Sequence, residues 1–188
     1  ESFRLDPKRQ SLFEAIRLQR DGRPKDAEMR LRDILRDDPT NVTATRALGS
    51  IALEQGRYKL ATRLLRNAVK LAPDYFAAWV DLSRALTEFE QFDDARDAIA
   101  ELIKLEGSLA YPYVLLGNLE SKVGDYEAAV TAFEAALNRQ ADNGGALAGL
   151  GHALKTVGRQ EQAIDRYRSC VQRYPTFGEA WWSLANLK

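Results

Sequence analysis

The chain holds a single histidine, His152, and a single cysteine, Cys170. Those two residues bound any chemistry it could perform. A zinc site needs several sulfur or imidazole ligands at short spacing, and His152 has no cysteine or second histidine with which to share a metal. No glycine-rich loop of the kind that cradles phosphate is present. Cys170 stands at 34-residue multiples from Ile34, Ala68, Leu102 and Ala136, all apolar, so it reads as a packing thiol and not as a nucleophile. Carboxylate pairs are plentiful but fall where a helix would turn them to water. No catalytic site, cofactor or metal is expected. What remains is a set of side chains suited to binding: Arg46, Val80, Arg84, Tyr111, Val114, Asn118, His152, Trp182 and Asn186. Arg84, Asn118, His152 and Asn186 follow one another at steps of 34 residues, as do Arg46, Val80 and Val114.

The same interval organises everything around them. Ala27, Ala61, Ala95, Ala129 and Ala163 keep it without a slip. Pro39, Pro73 and Pro175 share a second column, with Gly107 and Ala141 at its other stations. Gly22, Gly56, Gly124 and Gly158 form a third, broken by Glu90. Small residues (Ala15, Gly49, Ser83, Gly117, Gly151 and Ala185) form a fourth. A strict period of this length means one supersecondary unit stacked on its copies.

Within a unit the apolar spacing is that of two amphipathic helices. Tyr113, Leu116, Gly117 and Glu120 lie on one face; Gly124 then ends that helix, and the next begins at about Tyr126. Pro24 suits a first helical position, Asn41 and Asn143 suit N-caps, and the prolines at 39, 73 and 175 close the second helices. The spacing predicts an all-α solenoid of five helix pairs, roughly 8–39, 42–73, 76–107, 110–141 and 144–175, with an eleventh helix from about Gly178. The units are 8–41, 42–75, 76–109, 110–143, 144–177 and a partial 178–188, after a lead-in of residues 1–7. Small residues let the helices of a pair close up. Larger ones (Leu31, Leu65, Ile99, Phe133 and Tyr167 on second helices, Trp79, Tyr113, Leu147 and Trp181 on first helices) fill the space between pairs.

These units resemble tetratricopeptide repeats. The resemblance is carried by Trp79-x-x-Leu82-Ser83 with Ala95 and Ile99, by Tyr113-x-x-Leu116-Gly117 with Tyr126, Ala129, Phe133 and Ala136, and by Leu147-x-x-Leu150-Gly151 with Ala163 and Tyr167. It implies a right-handed superhelix whose concave wall is lined by the first helices, where the binding candidates fall. It further implies a non-catalytic scaffold that takes an extended peptide or a protein partner in that groove. The first unit departs from the pattern, with Ser11 and Glu14 where bulky apolar residues are usual, as a polar N-terminal cap would. Repeat proteins that clamp the acidic tail of chaperones need two cations and two asparagines on three consecutive first helices. Here the matching places hold Val114, Asn118, Gly149, Glu179 and Ser183, so that ligand is not expected.

Residues 178–188 also resemble the last repeat of bacterial proteins that fuse such repeats to a sulfotransferase. That likeness implies an alternative: a substrate-presenting or dimerising arm whose catalytic part lies beyond Lys188. The sequence lacks an initiator methionine and stops within a helical pattern, which reads as a piece of a longer, bacterial protein. Trp181, Leu184 and Ala185 are expected to pack on the fifth pair. Trp182 and Leu187 are expected to lie open, which would allow self-association through the C-terminal helix and gives a third reading, an oligomerisation arm.

Formal net charge is zero, so no whole-chain field favours nucleic acid or an anionic membrane. The balance hides two patches. Residues 41–73 contain six cations and one anion, and residues 74–106 contain nine anions and three cations. Such patches could dock a partner or attract one another. No apolar run approaches the ~18 residues of a membrane span, and no signal peptide is visible. One cysteine excludes an intrachain disulfide, and a cytoplasmic location is the expectation.

Overall fold

The computed structural model describes residues 7–187, with side chains from residue 10 onward. The expected lead-in therefore lies outside the described residues, except for Pro7, which opens the first helix. Eleven α-helices and no strand occur among the described residues. The backbone forms two compact units, the first ending at Gln91 and the second beginning at Phe92. The first holds α1 (Pro7–Arg20), α2 (Pro24–Asp37), α3 (Val42–Glu54), α4 (Tyr58–Leu71) and α5 (Phe76–Glu88). The second holds α6 (Phe92–Glu106), α7 (Tyr111–Val123), α8 (Tyr126–Leu137), α9 (Gly144–Thr156), α10 (Gln160–Arg173) and α11 (Gly178–Ala185). Every helix pair stands where the period predicts it. None of the described helices is long and apolar enough to cross a membrane.

Local chemistry sets the boundaries. Asn41 and Asn143 are N-caps whose Oδ1 atoms accept from the backbone N–H of Ala44 (3.0 Å) and Ala146 (2.9 Å), and Asp125 does the same for Ala128 (3.0 Å). Pro24 is the first residue of α2. The glycine column marks turns that need a left-handed backbone, with φ from 70° at Gly56 to 93° at Gly124. At the fifth station Glu90 takes that conformation with φ 60°, the sole non-glycine to do so among the described residues. Its Cβ clashes with the backbone there at about 1–2 kcal/mol, while glycine would add about 0.5–1 kcal/mol of unfolded-state entropy. Glu90→Gly is thus expected to stabilise the chain by roughly 0.5–1 kcal/mol. A higher urea midpoint checks this; an unchanged or lower one means that the turn carries no strain.

Packing follows the columns. Ala27, Ala61, Ala95, Ala129 and Ala163 are all 0 % exposed. The small first-helix residues face large second-helix residues of the same pair. A Cβ on Gly49 would lie 2.7 Å from Leu65, one on Gly117 2.6 Å from Phe133, and one on Gly151 2.8 Å from Tyr167. Glycine is required there because the backbone itself is the wall. The tryptophan and proline columns are also joined. Trp79 Nε1 donates to the Pro73 carbonyl (2.8 Å) and Trp181 Nε1 to that of Pro175 (2.9 Å), pinning each loop to the helix that follows it.

Three buried carboxylates tie neighbouring repeats within each unit. Glu28 accepts from Arg32 (2.5 Å) and from Arg57 (2.9 Å). Asp81 accepts from Arg46 Nε at 2.8 Å. Glu120 takes both prongs of Arg96, at 2.7 and 2.8 Å. Paired geometry of this kind is what makes a desolvated carboxylate tolerable. The first repeat is less polar outside than its sequence suggests. Glu14 meets Arg30 (3.4 Å), but Phe13, Ile16 and Met29 are exposed.

Candidate functional site

The binding candidates divide between the units and are best followed on each. In the first unit, Arg46 does not stand free. Its guanidinium is spent on Asp81, it donates to the Tyr75 hydroxyl (3.3 Å), and it lies 5.6 Å from the Tyr75 ring centre. Burial pushes the Asp81 carboxyl above its ordinary value, and Arg46 opposes that rise. Val80 is half-buried and Arg84 is exposed beside this pair. The surface here is a structural ion pair with one accessible cation next to it.

In the second unit a groove of about 390 Å³ runs across α7, α9 and α11. Its polar edge is made by Asn118 and Ser121 of α7, His152 of α9, and Glu179 and Ser183 of α11. Gly145, Ala148 and Gly149 keep the middle of the wall low, so that aromatic rings from the second helices form the floor. Phe133 is the centre of that floor. A Cβ at Gly149 would sit 2.4 Å from its ring, and the Gly117 position is nearly as close from the other side. Two first helices therefore clasp one side chain from α8. Tyr167 continues the floor. Its hydroxyl is hydrogen-bonded to Ser183, and burial pushes its pKa above the usual phenol value. Glu179 is the one carboxylate in the lining, and no lysine or arginine shares it.

Of the residues expected on this wall, Asn118 and His152 line the groove. The His152 ring meets Tyr126 edge-on, with centroids 5.9 Å apart. Tyr111 is exposed at the start of α7 but does not line the groove. Val114 corrects the expectation of an accessible apolar patch: at 8 % exposure it belongs to the core of the second unit. Asn186 turns its Nδ2 back to the Trp182 carbonyl (2.8 Å). Trp182 is 67 % exposed, as expected, and Leu187 instead packs on the core. Trp181 and Ala185 are exposed where packing was expected, and Ala180 is the buried anchor of α11. The reason is register: α11 ends at Ala185, and among the described residues no second helix lies across that column.

Sequence reasoning placed Phe133 and Tyr167 in the core and missed their second role as floor. A signal existed, since each faces a glycine in a column that elsewhere allows alanine or serine. Cys170 is buried, its Sγ 3.8 Å from the Gly144 carbonyl, and burial pushes the thiol up, which suits an inert packing residue. No cluster of residues able to hold a metal ion occurs among the described residues.

Comparison with known proteins adds to this geometry. One family model described as Tetratricopeptide repeat matches residues 14–64 and 114–176, and another of the same description matches 52–109. Cellulose synthase operon protein C of Xanthomonas axonopodis pv. citri (strain 306) is 34 % identical over 131 residues, which is 65 % of this chain and 9 % of that protein. The chain thus spans about one tenth of that relative's length. Among solved structures, MamA (41-end) from Desulfovibrio magneticus RS-1 superposes with a TM-score of 0.80 at 18 % identity, covering 92 % of this chain and 98 % of that one. TTC0263, a thermophilic TPR protein in Thermus thermophilus, gives 0.76 at 17 % identity, covering 96 % and 98 %. YrrB, described as a TPR protein with an unusual peptide-binding site, gives 0.71 at 17 % identity, covering 92 % and 89 %. At such identities the likeness is one of fold.

Proposed function

Because the chain belongs to the tetratricopeptide repeat family, we propose that it is a non-catalytic interaction module whose second unit holds an extended peptide across α7, α9 and α11. The observation that carries this reading is the groove's composition: an aromatic floor edged by amide, hydroxyl and imidazole groups, with one carboxylate. Asn118 can both donate to and accept from a peptide backbone. Phe177, half-buried in the lining, offers apolar surface for a side chain above the buried rings of Phe133 and Tyr167. Glu179, alone in its charge, favours a ligand with a lysine or arginine toward α11. The description of YrrB as peptide-binding is in keeping with such a use of the fold.

Selection of random displayed peptides against the intact chain tests the proposal. Recovered sequences are expected to be enriched in basic residues. Losing one neutral and one charge-assisted hydrogen bond costs roughly 2–4 kcal/mol, so Asn118→Ala combined with Glu179→Gln should weaken them at least ~10-fold. Recovery of no peptide, or equal binding to the double variant, would remove the groove from consideration.

A further inference from the structure

The first unit carries a cavity of its own. It is an open trough of about 810 Å³ along α4 and the turns that follow α3 and α5. Four of its lining residues are cations, Arg57, Lys59, Arg63 and Arg66, and none is acidic. Glu88 and Glu90 flank the lining residue Phe89 in sequence but do not line the trough. Arg57 is fixed by its bond to Glu28, and Arg66 donates to Gln91 (3.4 Å). Lys59 and Arg63 make no ion pair among the described residues. Tyr58 and Phe89 give the trough its apolar surface.

The wall of the trough is also unusual in its polar pairing. Among the described residues, two buried side-chain polar atoms lack any hydrogen-bond partner: Arg57 Nε and Thr62 Oγ1. Both residues line this trough. Native structures pair nearly all buried polar groups, so two orphans at one place call for a reason. Both atoms lie beneath the wall, each exposing under 1 Å², so it is the exposed cations above them that meet an occupant.

We infer that this trough is a second binding site, selective for an acidic peptide segment that carries apolar side chains. Carboxylates of such a peptide would meet Lys59 and Arg63, and its apolar groups would cover Tyr58 and Phe89. A trough of this volume suits several residues of extended chain. Single-stranded nucleic acid is the poorer match, because only Tyr58 and Phe89 could stack bases and no run of aromatic residues follows the cations along α4.

Fluorescence anisotropy on the intact chain provides the test. The probe is a short labelled peptide of alternating Glu and Phe, and its control is the Gln and Phe twin. The acidic peptide should bind saturably and lose affinity as salt is raised. The twin should bind at least ~10-fold more weakly, as should the acidic peptide to Lys59→Glu with Arg63→Glu and, less severely, to Lys59→Gln with Arg63→Gln. Both positions are exposed, and circular dichroism establishes that these variants fold. The groove variant Asn118→Ala with Glu179→Gln should bind the acidic peptide like the parent chain. Absence of saturable binding, indifference to the loss of Lys59 and Arg63, or dependence on Asn118 and Glu179 would each overturn the inference.

Discussion

Replacing Phe133 by alanine is expected to destabilise the second unit by about 3–5 kcal/mol and to hollow out the groove floor at the same stroke. The ring is 1 % exposed and wedged between the backbones of α7 and α9 at Gly117 and Gly149. Cavities cost most where neighbours cannot move in, and here the neighbours are helix backbones that already touch the ring. Gly149→Ala supplies the control. Alone, it forces a Cβ to 2.4 Å from the ring and is expected to cost about 1–3 kcal/mol. Combined with Phe133→Ala, the new methyl falls into the vacated space, so the pair should cost less than the sum of its parts. Urea unfolding followed by far-UV circular dichroism reads all three variants. A loss below ~1 kcal/mol for Phe133→Ala would mean that the wedge does not hold the repeats together.

Arg46→Ala should be comparably damaging to the first unit, at about 3–5 kcal/mol near neutral pH. The substitution removes the partner of a carboxylate whose side chain is only 7 % exposed. Asp81→Asn keeps the shape and deletes the buried charge, so it should cost clearly less. Acidity separates the two explanations. Burial holds the folded Asp81 carboxyl above its ordinary 3.8, despite Arg46, so the folded chain binds that proton more tightly than the unfolded chain does. Stability from protonating Asp81 is therefore complete below pH 3.8 and disappears as pH rises through the folded value. Without Arg46 the carboxyl rises further, and the deficit of Arg46→Ala should narrow as pH falls toward 3.8. Trp79, on the same helix as Asp81, reports the local transition by its fluorescence. A deficit that widens in acid, or one matched by Asp81→Asn at every pH, would show that lost packing and not lost charge pairing is responsible.

The helices were readable because the period writes each boundary several times over. A cap such as Asn41, a left-handed turn such as Gly56 and a closing residue such as Pro73 repeat at the same phase, so no single position had to be decisive. The surface was less readable, since exposure depends on residues a full repeat away. Arg46 looked like a free groove cation because nothing near it in sequence is acidic; its partner, Asp81, lies one residue beyond the next equivalent position. Val114 occupies the column of Arg46 and Val80 yet sinks into the core of the second unit, in one cluster with Ala110, Val130 and Ala146. The link between Trp79 and the Pro73 carbonyl was likewise hidden. The columns showed that tryptophan and proline recur together, but not that an indole N–H closes the loop between them.

The clasp around Phe133 has an evolutionary corollary. A surface that must acquire new ligands usually changes side chains at its centre, but here Gly117 and Gly149 cannot gain even a methyl without disturbing the ring between them. Diversification is channelled to the margins, at Asn118, Ser121, His152, Glu179 and Ser183, where polar character can drift while the aromatic bed stays constant. Copies of this module that have parted in preference should accordingly differ at those five positions and agree at Gly117 and Gly149.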